Sequence, residues 1–155
     1  MKVIESTLVY IERGEHYLML HRVKKKNDIH EGKWNGLGGK LELRESPEDC
    51  AVREVEEESG LRVNALHFAG HITFPEFDGT NDWSVFIFRA DDFDGEIGDC
   101  DEGNLKWIPK SEVLSLNLWE GDRLFLPYVL ASKPFFGKIR YEGGQVAEHK
   151  LVEIS

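Results

Sequence analysis

Cysteine is scarce, with only Cys50 and Cys100 in 155 residues. Two thiols without ligand spacing exclude a disulfide framework and a thiolate metal site. Cys50 falls among helix-forming residues and reads as a buried structural thiol. Long apolar runs are missing too. The longest stretch free of Asp, Glu, Lys and Arg, Val63 to Pro75, contains two histidines and Asn64, so it is no membrane span. At the start, MKVIESTLVYIERGEHYLML is interrupted by Glu5, Glu12 and Arg13, and it reads as neither a signal peptide nor a span. Basic charge is in deficit, 19 Lys and Arg against 29 Asp and Glu, for a net −10. That balance argues against duplex DNA or an anionic membrane as a main partner. It leaves room for an anionic small substrate if metal ions supply positive charge. No repeat or low-complexity linker divides the chain. The expectation is one globular domain over residues 1–155 with one core, located in the cytoplasm.

Strand signals dominate what is present. Thr7–Ile11 and Tyr17–His21 flank a turn at RGEH, and His21–Trp34 is a polar loop containing the basic cluster Lys24–Lys26. Gly36–Glu45 combines glycine punctuation with an alternating, strand-like segment. A helix then begins with agreeing signals. Ser46 is placed to cap it, Pro47 occupies the first position, Asp49 completes a capping box, and Gly60 ends it. Leu61–Phe74, Trp83–Ala90 and Glu102–Pro109 read as strand segments, and Arg123–Ser132 as a second helix despite Pro127. Phe135–Tyr141 and Gln145–Val152 flank Glu142-Gly143-Gly144, a hairpin signal. The predicted class is α/β, in the sense of an α+β sandwich: a mixed β-sheet flanked by helices.

The first helix carries an unusual crowd of carboxylates in REVEEESG, Arg53 to Gly60. Glu54, Glu57 and Glu58 stand at i, i+3 and i+4 and share one face, while Glu56 points elsewhere. Exposed like-charge pairs at those spacings cost roughly 0.2–0.5 kcal/mol each. That cost is tolerable, so energetics alone leave a solvated acidic face open.

The wider spacing narrows the choice. Gly39, five residues, Glu45, seven residues, then Arg53-Glu54-Val55-Glu56-Glu57-Glu58-Ser59-Gly60-Leu61 resembles the signature of the Nudix hydrolases at every specified position. Chance occurrence is on the order of one in ten million at average residue frequencies, relaxed about tenfold by the acidic composition. The resemblance implies the Nudix fold with its strand–loop–helix box, and an enzyme that hydrolyses a nucleoside diphosphate linked to another group. It further implies Mg²⁺ as cofactor, with Mn²⁺ as a substitute, held by Glu54, Glu57, Glu58 and the Gly38 carbonyl. Hard cations of this kind take oxygen ligands and keep waters. By the same resemblance Arg53 orients the glutamates, Glu45 supports the loop–helix turn, and Glu57 or Glu102 takes the proton from water, Glu102 doubling as a further ligand. Lys40 is either a phosphate contact or a surface charge.

Outside the box, HEGKWNGLGGKLE, ITFPEF, EGNLKWIP, LWEGD and KPFFGKIRYEGG look like the MutT-type and MutX-like oxidised-purine nucleoside triphosphatases. This likeness implies a small-molecule nucleotide substrate such as 8-oxo-dGTP, cleaved to monophosphate and pyrophosphate, by a monomer or homodimer. It assigns base recognition to Asn35, stacking to Trp119, and hydrogen bonding to Asp122, with Phe74 and Trp83 as further candidates for the pocket wall. Trp107 and Phe88 are read as core, Trp34 as packing beneath its loop, and the histidines as structural or surface groups. The chain departs from its relatives at Gly121, where a second aspartate is expected; Glu120 is the one nearby carboxylate that offers compensation. A broader nucleotide pyrophosphatase and a non-catalytic nucleotide sensor are the competing readings.

Overall fold

The computed structural model describes residues 1–24 and 26–154. Lys25, in the middle of the Lys24–Lys26 cluster, lies outside the described residues. The strands are β1 (Val3–Arg13), β2 (His16–His21), β3 (Trp34–Asn35), β4 (Arg62–Phe74), β5 (Asp82–Asp94), β6 (Asn104–Pro109), β7 (Phe135–Glu142) and β8 (Gln145–Glu153). Helix α1 covers Pro47–Ser59, a 3₁₀ turn Lys110–Ser115, and helix α2 Glu120–Leu130. All eight strands join one mixed sheet: β1 and β3 pair with different parts of one edge of β2, β6 pairs along its other edge, and from β1 the order continues β5-β4-β7-β8. β1 runs parallel to β5, and β4 parallel to β7, while the remaining pairs are antiparallel.

The strands alternate because the sheet is covered on both faces. Val9, Ile11, Leu18 and Leu20 point to one face and pack with Ala51 and Val55 of α1. Tyr10, Tyr17 and Met19 point to the other and pack with Phe125, Leu126 and Val129 of α2. This explains why TLVYI and YLML read as nearly continuous apolar runs: every residue but the half-buried Leu8 is buried, on alternating sides. Among the described residues no helix is long and apolar enough to cross a membrane.

Three local expectations change. Lys40–Glu45 does not form a strand. Leu37 and Lys40 touch β1 only through isolated bridges, Leu43 is 86% exposed, and Arg44 adopts a φ of 72°. The alternation of Leu41, Glu42 and Leu43 had no buried face to serve. Trp34, placed at the end of a loop by the sequence, forms with Asn35 the short β3 against Leu20 and His21. Helix α2 begins three residues earlier than predicted, and Trp119 at its N-cap makes no side-chain cap bond. Pro127 lies inside α2, where it removes one backbone donor.

Helix α1 follows its local code. Ser46 Oγ accepts from the Asp49 N–H at 3.1 Å, and the Asp49 carboxylate accepts from the Ser46 N–H at 3.1 Å. Gly60 closes the helix at φ 83°. Replacing Ser46 with Ala is expected to lower stability by about 1 kcal/mol, measured as a lower urea midpoint at unchanged slope.

Candidate functional site

Two glycines make the loop before α1 possible. Gly38 sits at φ 151°, and a Cβ there would lie 2.0 Å from the Thr7 carbonyl oxygen. A Cβ on Gly39 would lie 2.6 Å from the Glu54 carboxylate. The bare backbone therefore lies against β1, with Thr7 N–H donating to Gly39 O at 2.9 Å, and leaves room for an acid from the helix.

Arg53 gathers that helix onto the loop. Its Nε and Nη2 bind both oxygens of Glu45 at 2.6 and 2.9 Å, and Nη2 also donates to the Lys40 carbonyl at 3.2 Å. Nη1 donates to Glu54 at 2.9 Å and to Glu57 at 3.2 Å. The guanidinium holds the Glu45 carboxyl down at about 2, and the surrounding acids push the Arg53 pKa up in return. Glu58 turns inward and accepts from the Gly38 N–H at 2.8 Å. Burial pushes the Glu58 carboxyl well above the carboxylate range, with Glu102 and Glu54 adding to the shift. Glu54 is raised as well, chiefly by desolvation, which Arg53 opposes. Glu102 Oε2 is buried without a hydrogen bond, although Arg22 Nη1 stands 3.3 Å away, outside hydrogen-bond alignment.

These features suit a hard cation. Crowded, poorly solvated carboxyls rise in pKa when no positive charge is beside them. Among the described residues no three Asp, Glu, His or Cys side chains are placed so that they could together hold a metal ion; Arg53 and the Gly38 N–H engage several of the carboxylate oxygens instead. An open, partial donor set matches a cation that retains waters and takes substrate oxygens.

Next to the cluster lies a cleft of about 320 Å³. Of the sequence-predicted residues, Asn35, Gly38, Lys40, Phe74, Trp83, Glu102, Trp119 and Asp122 all line it. Glu54, Glu57, Glu58 and Arg53 stand outside that wall, joined to it through Gly38 and Lys40. Asn35 Oδ1 is buried and has no hydrogen-bond partner among the described residues. Asp122 is 8% exposed, and desolvation pushes its carboxyl up to about 7 despite Arg123 and Lys33. Lys40 Nζ lies 5.4 Å from the Trp83 ring centre. Trp34 stacks on His21 at 4.3 Å, Phe88 is buried in the α1-side core, and Trp107 packs against that core under Arg13.

Sequence reasoning missed Phe77, His30 and Tyr141. Phe77 places its ring 5.4–6.4 Å from those of His30, Phe74, Trp83, Trp119 and Tyr141. His30, grouped with structural or surface histidines, lines the cleft and accepts from Trp119 Nε1 at 2.7 Å. Desolvation, then Arg22, pushes its pKa down, which favours the neutral ring such a bond needs. Glu120 does not compensate for Gly121: its carboxylate accepts from the Val146 N–H at 3.3 Å and is not in the cleft wall. In the basic loop Lys24 is tied to the Cys100 carbonyl at 3.0 Å. The only advance signal for Phe77 was its place in ITFPEF.

The family model described as NUDIX domain matches residues 3–129. The chain is 40% identical over 131 residues to the "Oxidized purine nucleoside triphosphate hydrolase" of Danio rerio, covering 84% of each chain. It is 39% identical over 137 residues to the protein of that name from Mus musculus, covering 88% of this chain and 85% of the other. A crystal structure of a mutator MutT protein from Bacillus halodurans matches with a TM-score of 0.84 at 27% identity, over 96% of this chain and 97% of that one.

Asp122 makes the site visible in stability. In the unfolded chain its proton leaves near pH 4; in the folded protein it leaves near 7. The folded state therefore binds more protons between those values, and stability falls as pH rises through that window. Asp122→Asn is expected to match wild type at pH 4 and to exceed it by roughly 2–4 kcal/mol at pH 8. Urea unfolding at both pH values checks this, and an equal difference at the two would contradict it.

Proposed function

This chain belongs to the Nudix family and is a Nudix hydrolase, and on that premise we propose that it hydrolyses oxidised purine nucleoside triphosphates, such as 8-oxo-dGTP, to monophosphate and pyrophosphate. The observation that carries the reading is the adjacency of two unlike half-sites. One is an aromatic cleft with the unpaired Asn35 Oδ1 and the buried Asp122 carboxyl in its wall. The other is the acidic cluster of α1, joined to the first through Gly38 and Lys40. The printed names of the relatives at 39–40% identity support the same substrate class.

In this reading Trp119, held by His30, and Phe74 present flat apolar surfaces to the base. Base stacking on aromatic side chains is worth roughly 1–3 kcal/mol. Asn35 and Asp122 hydrogen-bond the purine edge, and Trp83 closes the wall beside Lys40, which meets the phosphates. Glu54, Glu57, Glu58, Glu102 and the Gly38 carbonyl would hold Mg²⁺, or Mn²⁺ in its place. When bound, such ions neutralise phosphate charge and make water more acidic. Arg53 fixes the carboxylates in position, and Glu57 or Glu102 accepts the proton of the attacking water. The protein would work in the cytoplasm, as a monomer or homodimer, cleansing the nucleotide pool.

Glu57→Gln keeps the shape of the side chain and removes its charge. It is expected to reduce kcat at least about 100-fold while the urea midpoint stays near wild type, because Glu57 is largely exposed. Steady-state assays on 8-oxo-dGTP, dGTP and ATP, with products separated by ion exchange, check both the rate and the bond broken. Undiminished turnover would remove the role given to the helix, and release of inorganic phosphate would contradict the proposed cleavage point.

A further inference from the structure

Gly121 is not simply a missing carboxylate, because another group occupies its place. The Gly121 N–H donates to Tyr141 Oη at 2.6 Å. A Cβ at position 121 would lie 2.6 Å from that same oxygen, and 3.2 and 3.3 Å from Cγ2 and Cδ1 of Ile139. A side chain at 121 and the phenol in its present position therefore exclude one another. Tyr141 reaches the cleft from β7, whose register with β8 shifts between Arg140 and Tyr141. Its ring is edge-on to Trp119 at 5.5 Å and stacked with Phe74 at 6.4 Å. The Tyr141 ring thus touches both rings assigned to the base, and its hydroxyl is fixed by Gly121.

The chemistry of this exchange is a reversal of polarity. A phenol has one proton and two lone pairs. The backbone of Gly121 uses a lone pair, and among the described residues the hydroxyl proton has no acceptor. An ionised aspartate at this point would only accept; Tyr141 is left to donate. Burial pushes the Tyr141 pKa up, with Asp122 and Glu120 adding to the shift, so the donor persists across the physiological range. Beside it, the Asp122 carboxylate accepts once ionised.

We propose that Tyr141 is a specificity-determining residue, whose hydroxyl donates to the exocyclic oxygen of a 6-oxo purine and thereby favours guanine-type over adenine-type nucleotides. The inference rests on the function proposed above and narrows it. A 6-oxo purine presents a carbonyl acceptor next to an N1–H donor, matching a phenol donor next to a carboxylate. A 6-amino purine presents an NH₂ donor where the carbonyl oxygen would be, and two donors then face each other.

The test is the ratio of kcat/KM for 8-oxo-dGTP to that for 8-oxo-dATP, in the wild type and in Tyr141→Phe. The phenylalanine keeps the ring contacts with Trp119 and Phe74 and removes the hydroxyl alone. We expect a loss of about tenfold for 8-oxo-dGTP and a change under about threefold for 8-oxo-dATP, so that the ratio collapses. A thermal melt accompanies the assay, because Gly121 N–H loses its partner; lower stability with an unchanged ratio would overturn the proposal. Equal losses on both substrates would reduce Tyr141 to a packing residue and overturn it too. A wild type that turns over neither nucleotide would instead remove the functional reading itself, and this inference with it.

Discussion

One guanidinium group organises the acidic site. Arg53 has five N–H donors in a rigid fork, and they engage Glu45, Glu54, Glu57 and the Lys40 carbonyl together. A lysine has neither the planarity nor the number of fixed donors to span the loop and a turn of the helix at once. Without this fork, the acids of α1 would repel one another and the loop, and the side chains would spread into water. The bidentate bond to Glu45 anchors the positive charge to the loop, so the remaining donors are aimed at the helix. The cluster is an arrangement of acids around one fixed guanidinium charge.

The second constraint is the absence of side chains at Gly38 and Gly39. It is the reason the loop backbone can approach both β1 and Glu54. Gly38 then directs its N–H to Glu58, which brings a buried carboxyl to the edge of the cleft. The same device recurs at Gly121, where a missing Cβ makes space for a hydroxyl carried by a distant strand. In both places glycine supplies room and a backbone donor, while the functional group comes from elsewhere in the chain.

Much of this was legible in the sequence, and the reason is locality. The start of α1 is coded by Ser46, Pro47 and Asp49 and its end by Gly60, each within one turn of the terminus it marks. The acidic face follows from helical spacing. The strands around β1 and β2 were visible because each residue is apolar or aromatic for one face or the other. By contrast, the start of α2 carried no side-chain cap to announce it, and Leu43 imitated strand alternation while lying in solvent. Phe77, His30 and Tyr141 enter the cleft only because the sheet brings β4, β7 and the loops together. No local pattern marks such residues. For the same reason Gly121 looked like a loss in the sequence, since its replacement lies 20 positions away.

The account stands on the carboxylates of α1 forming a binding site for divalent cations. Titration of the protein with Mn²⁺ at neutral pH, followed by electron paramagnetic resonance of the free ion, tests this without any substrate. Saturable binding by the wild type, weakened at least about tenfold when Glu54 and Glu58 are both changed to Gln, is the expected result. Equal Mn²⁺ affinity in the two proteins would contradict it.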